Sequence, residues 1–202
     1  MQQECLSTLE QTLEQVWEML LPATKDIYHP LHRSTLANVG RYGCHMRSVL
    51  LREVWPAERT LMCHSQLRSS KVEEIRNDPR VRWLFFHPER YVQLQLAGIA
   101  TIHTDDALAD QQWAATPPPD RIFYCYAKKL ATPSPEPIFG LPDHLLNRPP
   151  TLEESETGRD NFAVISCKVN FIDWLQARVM GGNLRAQFMW SGEELKATWV
   201  VG

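Results

Sequence analysis

The chain has 202 residues, of which 44% are hydrophobic and 22% charged, with a formal net charge of −3. That length supports one domain with a full hydrophobic core, and the mild acidity excludes broad binding to nucleic acid or to an anionic membrane face, both of which need a basic surface. No run approaches the roughly 20 apolar residues needed to span a bilayer. The first apolar run, near Met19–Leu21, follows several acidic residues, so no leader is expected and the chain reads as cytoplasmic. Cys5, Cys44, Cys63, Cys125 and Cys167 are odd in number, widely spaced and free of any CxxC, which fits thiols in a reducing compartment.

In chain order, Leu6, Leu9, Leu13, Val16, Trp17 and Leu20 recur at spacings of three and four, predicting an amphipathic helix over 4–21 that packs on the body of the fold. Its polar face is rich in Gln and Glu rather than basic, which argues against a membrane surface. Residues 36–39 and 45–54 read as two strands joined by Gly40-Arg41-Tyr42-Gly43, and residues 60–64 as a third. Ser69 or Ser70 caps a helix over 71–77 that stops at Asp78-Pro79. Strands over 81–86 and 91–103 follow, then a helix over 104–115 that ends at Pro117-Pro118-Pro119.

Residues 122–127 fit either a short strand or a helix. Residues 133–160 are Pro-rich and acidic and read as a long loop, with Glu153-Glu154-Ser155-Glu156 as a solvated run. Strands are expected at 162–174, 184–190 and 197–201, with Gly181-Gly182-Asn183 turning between the first two. Trp83, Phe85, Phe86, Trp174, Trp190 and Trp199 are expected in the core. Short, closely spaced strands with few helices predict one domain over 1–202, mainly β with added helices, with an N-terminal helix within 1–22 and a loop over 131–160.

A phosphate monoester is held by Arg, by a Lys point charge and by free N–H groups at a helix start. Arg47 at the mouth of a strand, Lys71 in the first helical turn, and Ser69-Ser70 at the helix opening supply those groups if the elements are neighbours. Gln93 on a later strand can hydrogen-bond a flat heterocycle. Adjacent pairs such as Cys44-His45 and Cys63-His64, and the His29-Pro30-Leu31-His32 stretch, lack the usual spacing of zinc ligands, so no metal is expected. A Cys63–His nucleophile would need a partner that sequence does not place.

The ordered series Arg47-Ser48-Val49-Leu50-Leu51-Arg52, His64-Ser65, Ser69-Ser70-Lys71, Asn77-Asp78-Pro79-Arg80-Val81 and Gln93-Leu94-Gln95-Leu96-Ala97-Gly98 resembles the pyridoxamine 5'-phosphate oxidase family. The resemblance runs over residues 30–105 and more loosely over 162–202, through Phe171–Gln176, Arg185 and Trp199. It implies a homodimeric FMN-binding split β-barrel. Carried over, Arg47 and Lys71 would hold the FMN phosphate with Ser65 and Ser70, and His64 stands where the family has an aromatic Tyr. The backbone of Ser48, Val49 and Leu50 would face the isoalloxazine ring with Gln93 nearby, while Trp174 and Arg185 would reach the flavin from the second subunit.

Departures accompany the matches. Ser70 replaces an Arg of the family pattern. Gly182-Asn183-Leu184-Arg185 replaces the Arg-x-His-Asp-Arg that holds a pyridoxal substrate. Pro117 stands where a substrate-phosphate Arg belongs, leaving Arg52 as the substrate contact. The resemblance therefore implies a flavin-dependent oxidoreductase acting on a small molecule other than pyridoxamine phosphate. The alternatives are a flavin-binding or carrier protein without turnover, a haem-handling relative, and a homologue that has lost flavin.

Overall fold

The computed structural model describes residues 7–178 and 180–202. Helix α1 (Leu9–Leu20) is opened by a capping box: the Thr8 hydroxyl accepts from the Gln11 N–H and the Gln11 side chain accepts from the Thr8 N–H. Val16, Trp17, Met19 and Leu20 are buried on one face, as the periodicity predicts. The expected residues 4–6 of this helix, Cys5 among them, lie outside the described residues.

Among the described residues nine strands form one antiparallel sheet: β1 (Arg33–Gly40), β2 (Gly43–Leu50), β3 (Glu53–Trp55), β4 (Thr60–Gln66), β5 (Arg80–His87), β6 (Val92–His103), β7 (Phe162–Gln176), β8 (Leu184–Ser191) and β9 (Glu194–Val201). Their order is β2-β1-β5-β6-β7-β4-β3, with β8 paired to β7 and β9 paired to β8. The long β7 runs beside β6 on one edge, and on the other it serves β4 with its first half and β8 with its second. The sheet curls until β2 lies against β4. The enclosed core joins α1 to Leu36, Leu61, Trp83, Phe85, Leu94, Ile165, Ile172 and Phe188. Gly98 sits at a bulge in the β6–β7 ladder, where any Cβ would collide with the Lys168 carbonyl.

The β1–β2 hairpin turns at Gly40–Gly43, where Gly43 takes φ +120°. The single strand expected over 45–54 is broken. Leu51 N–H donates to the His32 carbonyl and Arg52 N–H to the Met62 carbonyl, both at 2.9 Å, as the chain leaves β1's partner to become β4's. Helix α2 (Ser70–Asn77) lies where expected. Strand β5 alternates exposed and buried residues throughout, so Phe86 faces outward and is exposed, unlike Trp83 and Phe85. Trp174 is buried; Trp199, on outermost β9, is exposed, and Trp190 is partly buried beneath the Arg59 guanidinium.

Residues 104–161 leave the sheet and fold back over it. Helix α3 (Ala107–Ala115) is capped by Asp106. Pro118 and Pro119 then open α4 (Pro118–Arg121) instead of merely ending α3, because proline's missing N–H costs nothing in a first turn. Of the two forms expected over 122–127, the helical one is found, as a single 3₁₀ turn at Ile122–Tyr124. The expected loop over 133–160 contains α5 (Leu152–Glu156), opened by a Thr151–Glu154 capping box. Its acidic run is structural: Glu156 accepts from Trp113 Nε1 at 3.0 Å and pairs with the buried Arg121 guanidinium. Arg121 also donates to the Thr116 and Trp113 carbonyls at 2.8 and 2.9 Å and lies 4.4 Å from the Trp113 ring centre. Beneath this clasp, Trp113 and Tyr124 pack on Met62, Phe162 and Val164 of the sheet.

Among the described residues no helix is long and apolar enough to cross a membrane.

Candidate functional site

Strand β4 is buried on both faces, and that position creates a site at its end. Leu61 and Cys63 face the core, Met62 faces the returning segment, and Ser65 meets the start of α2. A cleft of about 320 Å³ opens where β2 and β4 end beside α2 and the 3₁₀ turn, a volume within the usual range for small-molecule sites. Of the sequence-derived residues, Ser48, Val49, Leu50, Arg52, His64, Ser65 and Lys71 line it. Arg33, Gln66, Phe123, Tyr124 and Leu130 join them, none anticipated.

At one end Lys71 Nζ donates to Ser65 Oγ at 3.0 Å and to Ser69 Oγ at 3.3 Å, and the two hydroxyls lie 3.0 Å apart. Ser69 occupies the N-cap of α2, yet its hydroxyl is turned to Lys71 and caps no helical N–H. Burial pulls the Lys71 amine below its ordinary pKa, and among the described residues no carboxylate stands within ion-pair distance of it. Ser70, at the first helical position, is exposed and does not line the cleft.

Arg47 is turned away from the cleft lining. Its guanidinium pairs with Glu74 at 3.5 Å, donates to Asn38 Oδ1 and donates to the His45 carbonyl at 3.1 Å. Burial alone would raise the Glu74 pKa, but hydrogen bonds from Asn38 and His45 and the Arg47 charge hold it below the ordinary value. Glu74 stands one helical turn beyond Lys71, so a native carboxylate occupies Arg47 next to the anion-poor end of the cleft.

At the other end Arg52 meets Asp120 at 3.3 Å. His64 Nε2 lies 3.0 Å from Gln112 Oε1, and Gln66 Nε2 donates to the Phe123 carbonyl at 2.5 Å. Burial lowers the His64 pKa to about 4, so the ring is neutral, and since Nε2 faces an oxygen it carries the proton. That leaves His64 Nδ1 and Gln66 Oε1 as buried acceptors without a partner.

Gln93, Trp174 and Arg185 fall outside this cleft. Gln93 pairs with Leu175 and Leu175 with Arg185, so Gln93 and Arg185 share one face of the β6-β7-β8 sheet. Trp174 is on the opposite face, 6.3 Å from the Trp199 ring centre. Trp174 and Arg185 line a second pocket of about 290 Å³ between α1 and the β7-β8-β9 edge, which shares no residue with the cleft. Arg185 is held there by both oxygens of Asp173, at 2.9 and 2.7 Å.

Cys63 is fully buried, and desolvation pushes its thiol up to about 12 despite nearby cations, so it is no nucleophile. Among the described residues no group of three or more His, Cys, Asp or Glu side chains is placed to hold a metal.

Residues 10–104 match the family model described as pyridoxamine 5'-phosphate oxidase, FMN-binding domain. Over that span, a little under half of the chain, the sequence is similar to this family's domain. The match takes in α1 through β6, and so Arg47, Ser65, Lys71 and Gln93, while Trp174 and Arg185 lie beyond it. Two solved structures share the whole fold. One is a pyridoxamine 5'-phosphate oxidase-related, FMN-binding protein from Nostoc punctiforme, 17% identical over 94% of this chain and 96% of that one, with a TM-score of 0.70. The other is PhzG from Burkholderia lata in complex with tetrahydrophenazine-1-carboxylic acid, 14% identical over 95% and 91%, with a TM-score of 0.68. At these identities the likeness concerns the fold alone. No curated protein matches the chain.

The residues at the Lys71 end fit the phosphate of FMN. A part-buried ammonium with only hydroxyl partners, two serine hydroxyls and an uncapped helix start form an arrangement that an anion completes.

Proposed function

We propose that the protein binds FMN in the β2–β4–α2 cleft and uses it as a flavin-dependent oxidoreductase on a small organic molecule. The observation that carries this reading is Lys71, whose Nζ faces the cleft bonded only to Ser65 and Ser69. In this reading Lys71, Ser65 and the N–H groups opening α2 hold the phosphate. The backbone of Ser48, Val49 and Leu50 lies along the ring, and Arg52 and His64 border the substrate space. Arg47 reaches the phosphate once released from Glu74. When bound, FMN supplies the electron-transfer chemistry; the chain binds and orients it and keeps water from one side.

A second copy of the chain completes the site. Trp174 and Arg185 line a pocket at the β7–β8–β9 edge that shares no residue with the cleft, so within one chain they stand apart from Lys71. A homodimer that sets this edge against its partner's cleft brings Trp174 and Arg185 to the flavin ring.

The test is to purify the protein without added cofactor, denature it and identify any released chromophore by absorbance and mass. FMN near one per chain, or stoichiometric uptake by colourless protein, is the expected result. A protein that neither carries nor takes up FMN overturns the reading. Bleaching by a nicotinamide donor followed by re-oxidation in air separates an enzyme from a flavin carrier.

A further inference from the structure

We propose that the Arg52 end of the cleft takes an unphosphorylated planar ring whose edge carries N–H or O–H donors, an amino- or hydroxy-substituted aromatic, and rejects phosphate esters. The inference rests on the FMN reading of the Lys71 end and names the substrate class of that same cleft.

Three observations carry it. First, the cation at this end is already answered: Arg52 holds Asp120 at 3.3 Å, so a dianionic group arriving there meets a carboxylate as well as a guanidinium. Arg33, the remaining cation of the lining, is exposed at the start of β1, where solvent screens it. Second, the wall is apolar and partly aromatic. Phe123 and Leu130 are 56% and 40% exposed beside buried Tyr124, a surface suited to a flat ring. Third, the two β4 side chains at this end, His64 and Gln66, each carry a buried acceptor without a partner. Gln66 is 8% exposed, with Oε1 unpartnered while its amide is committed to the Phe123 carbonyl. His64 Nδ1 is likewise unpartnered, its Nε2–H committed to Gln112. Buried acceptors of this kind favour a ligand that brings donors and penalise one that brings only lone pairs.

The wall is built before any ligand arrives. Arg121 ties α4 to α3 and α5, and Asn161 Nδ2 donates to the Tyr124 carbonyl at 3.1 Å. A preorganised wall of this kind selects its ligand with little ordering cost.

The experiment first measures FMN affinity by quenching of flavin fluorescence. A protein that fails this titration defeats the FMN reading itself, whereas the ring titrations on FMN-loaded protein test the substrate class alone. The FMN-loaded protein is titrated with pyridoxamine, with pyridoxamine 5'-phosphate and with 2-methylpyridine, and the shift of the flavin absorbance bands is read. Pyridoxamine is expected to bind about tenfold more tightly than its phosphate ester, since like-charge juxtaposition is costly, and more tightly than donor-free 2-methylpyridine. In Asp120→Asn, its own FMN affinity measured first, the preference over the ester should shrink about tenfold or reverse. Equal or tighter binding of the ester by wild type, a ratio unmoved in Asp120→Asn, equal binding of 2-methylpyridine, or no ring binding at all overturns the proposal.

Discussion

The two ends of the cleft hold cations of different standing. Lys71 is bonded to two neutral hydroxyls, whereas Arg52 has its own carboxylate in Asp120. The first arrangement is incomplete without an external anion; the second is already neutral. Arg47 stands between them in character, beside the Lys71 end yet taken by Glu74. Chemical type alone does not make a basic side chain an anion site. What decides is whether the fold has already supplied its counter-charge.

The largest test of that contrast acts on the wall behind Arg52. Arg121→Ala removes a buried guanidinium and leaves the Thr116 and Trp113 carbonyls without their donor. It is expected to destabilise the chain by about 3–5 kcal/mol in denaturant unfolding. The same variant should loosen the Arg52 end while leaving the Lys71 end able to bind FMN.

His64 gives a pH signature from the same region. Its folded pKa of about 4 lies below the ordinary 6.5, so the unfolded chain binds the proton first as pH falls. Its contribution to stability is constant above pH 6.5, declines between pH 6.5 and 4, and amounts to about 3 kcal/mol over that window. Thermal unfolding at pH 7 and at pH 4.5 measures the loss, and His64→Gln should flatten it.

At the other end Lys71→Met should weaken FMN binding by about 10- to 100-fold, the range for losing a charge-assisted phosphate contact. An unchanged dissociation constant would remove Lys71 from the phosphate site. The smallest effect is expected from Glu74→Gln, which frees Arg47 for the phosphate. FMN should then bind a few-fold more tightly, by about 1 kcal/mol, in the same fluorescence titration.

Much of the sheet was legible because its residues alternate. β5 reads exposed–buried along its whole length, and the Gly40–Gly43 turn announces the first hairpin. Local signals could not show where the returning segment goes. Trp113 and Tyr124 find Met62 and Phe162 through tertiary packing, and that packing turned an acidic run into α5 and a proline stop into a helix start. The site divides in the same way. Ser65 and Lys71 were findable from motif order. Gln66 could have been suggested by period-two spacing from His64, since both share a face of β4. Asp120, Phe123 and Leu130 carried no local signal, because their place depends on how residues 104–161 fold back. Glu74 was visible as a helix acid, but its hold on Arg47 needed the β1–β2 hairpin beside α2.

The position of β7 has a consequence for the order of assembly. Its first half is the ladder partner of β4, yet Gln66 precedes Phe162 by nearly half the chain. During synthesis at about 5–20 residues per second, β4 therefore waits roughly 5–20 s with only short β3 beside it. Through that interval its unpaired backbone edge stays open to chaperones or to the nascent chains of neighbouring ribosomes. Mutations that slow the docking of β7 would thus be felt first as lost yield, in proteins whose finished cleft is sound.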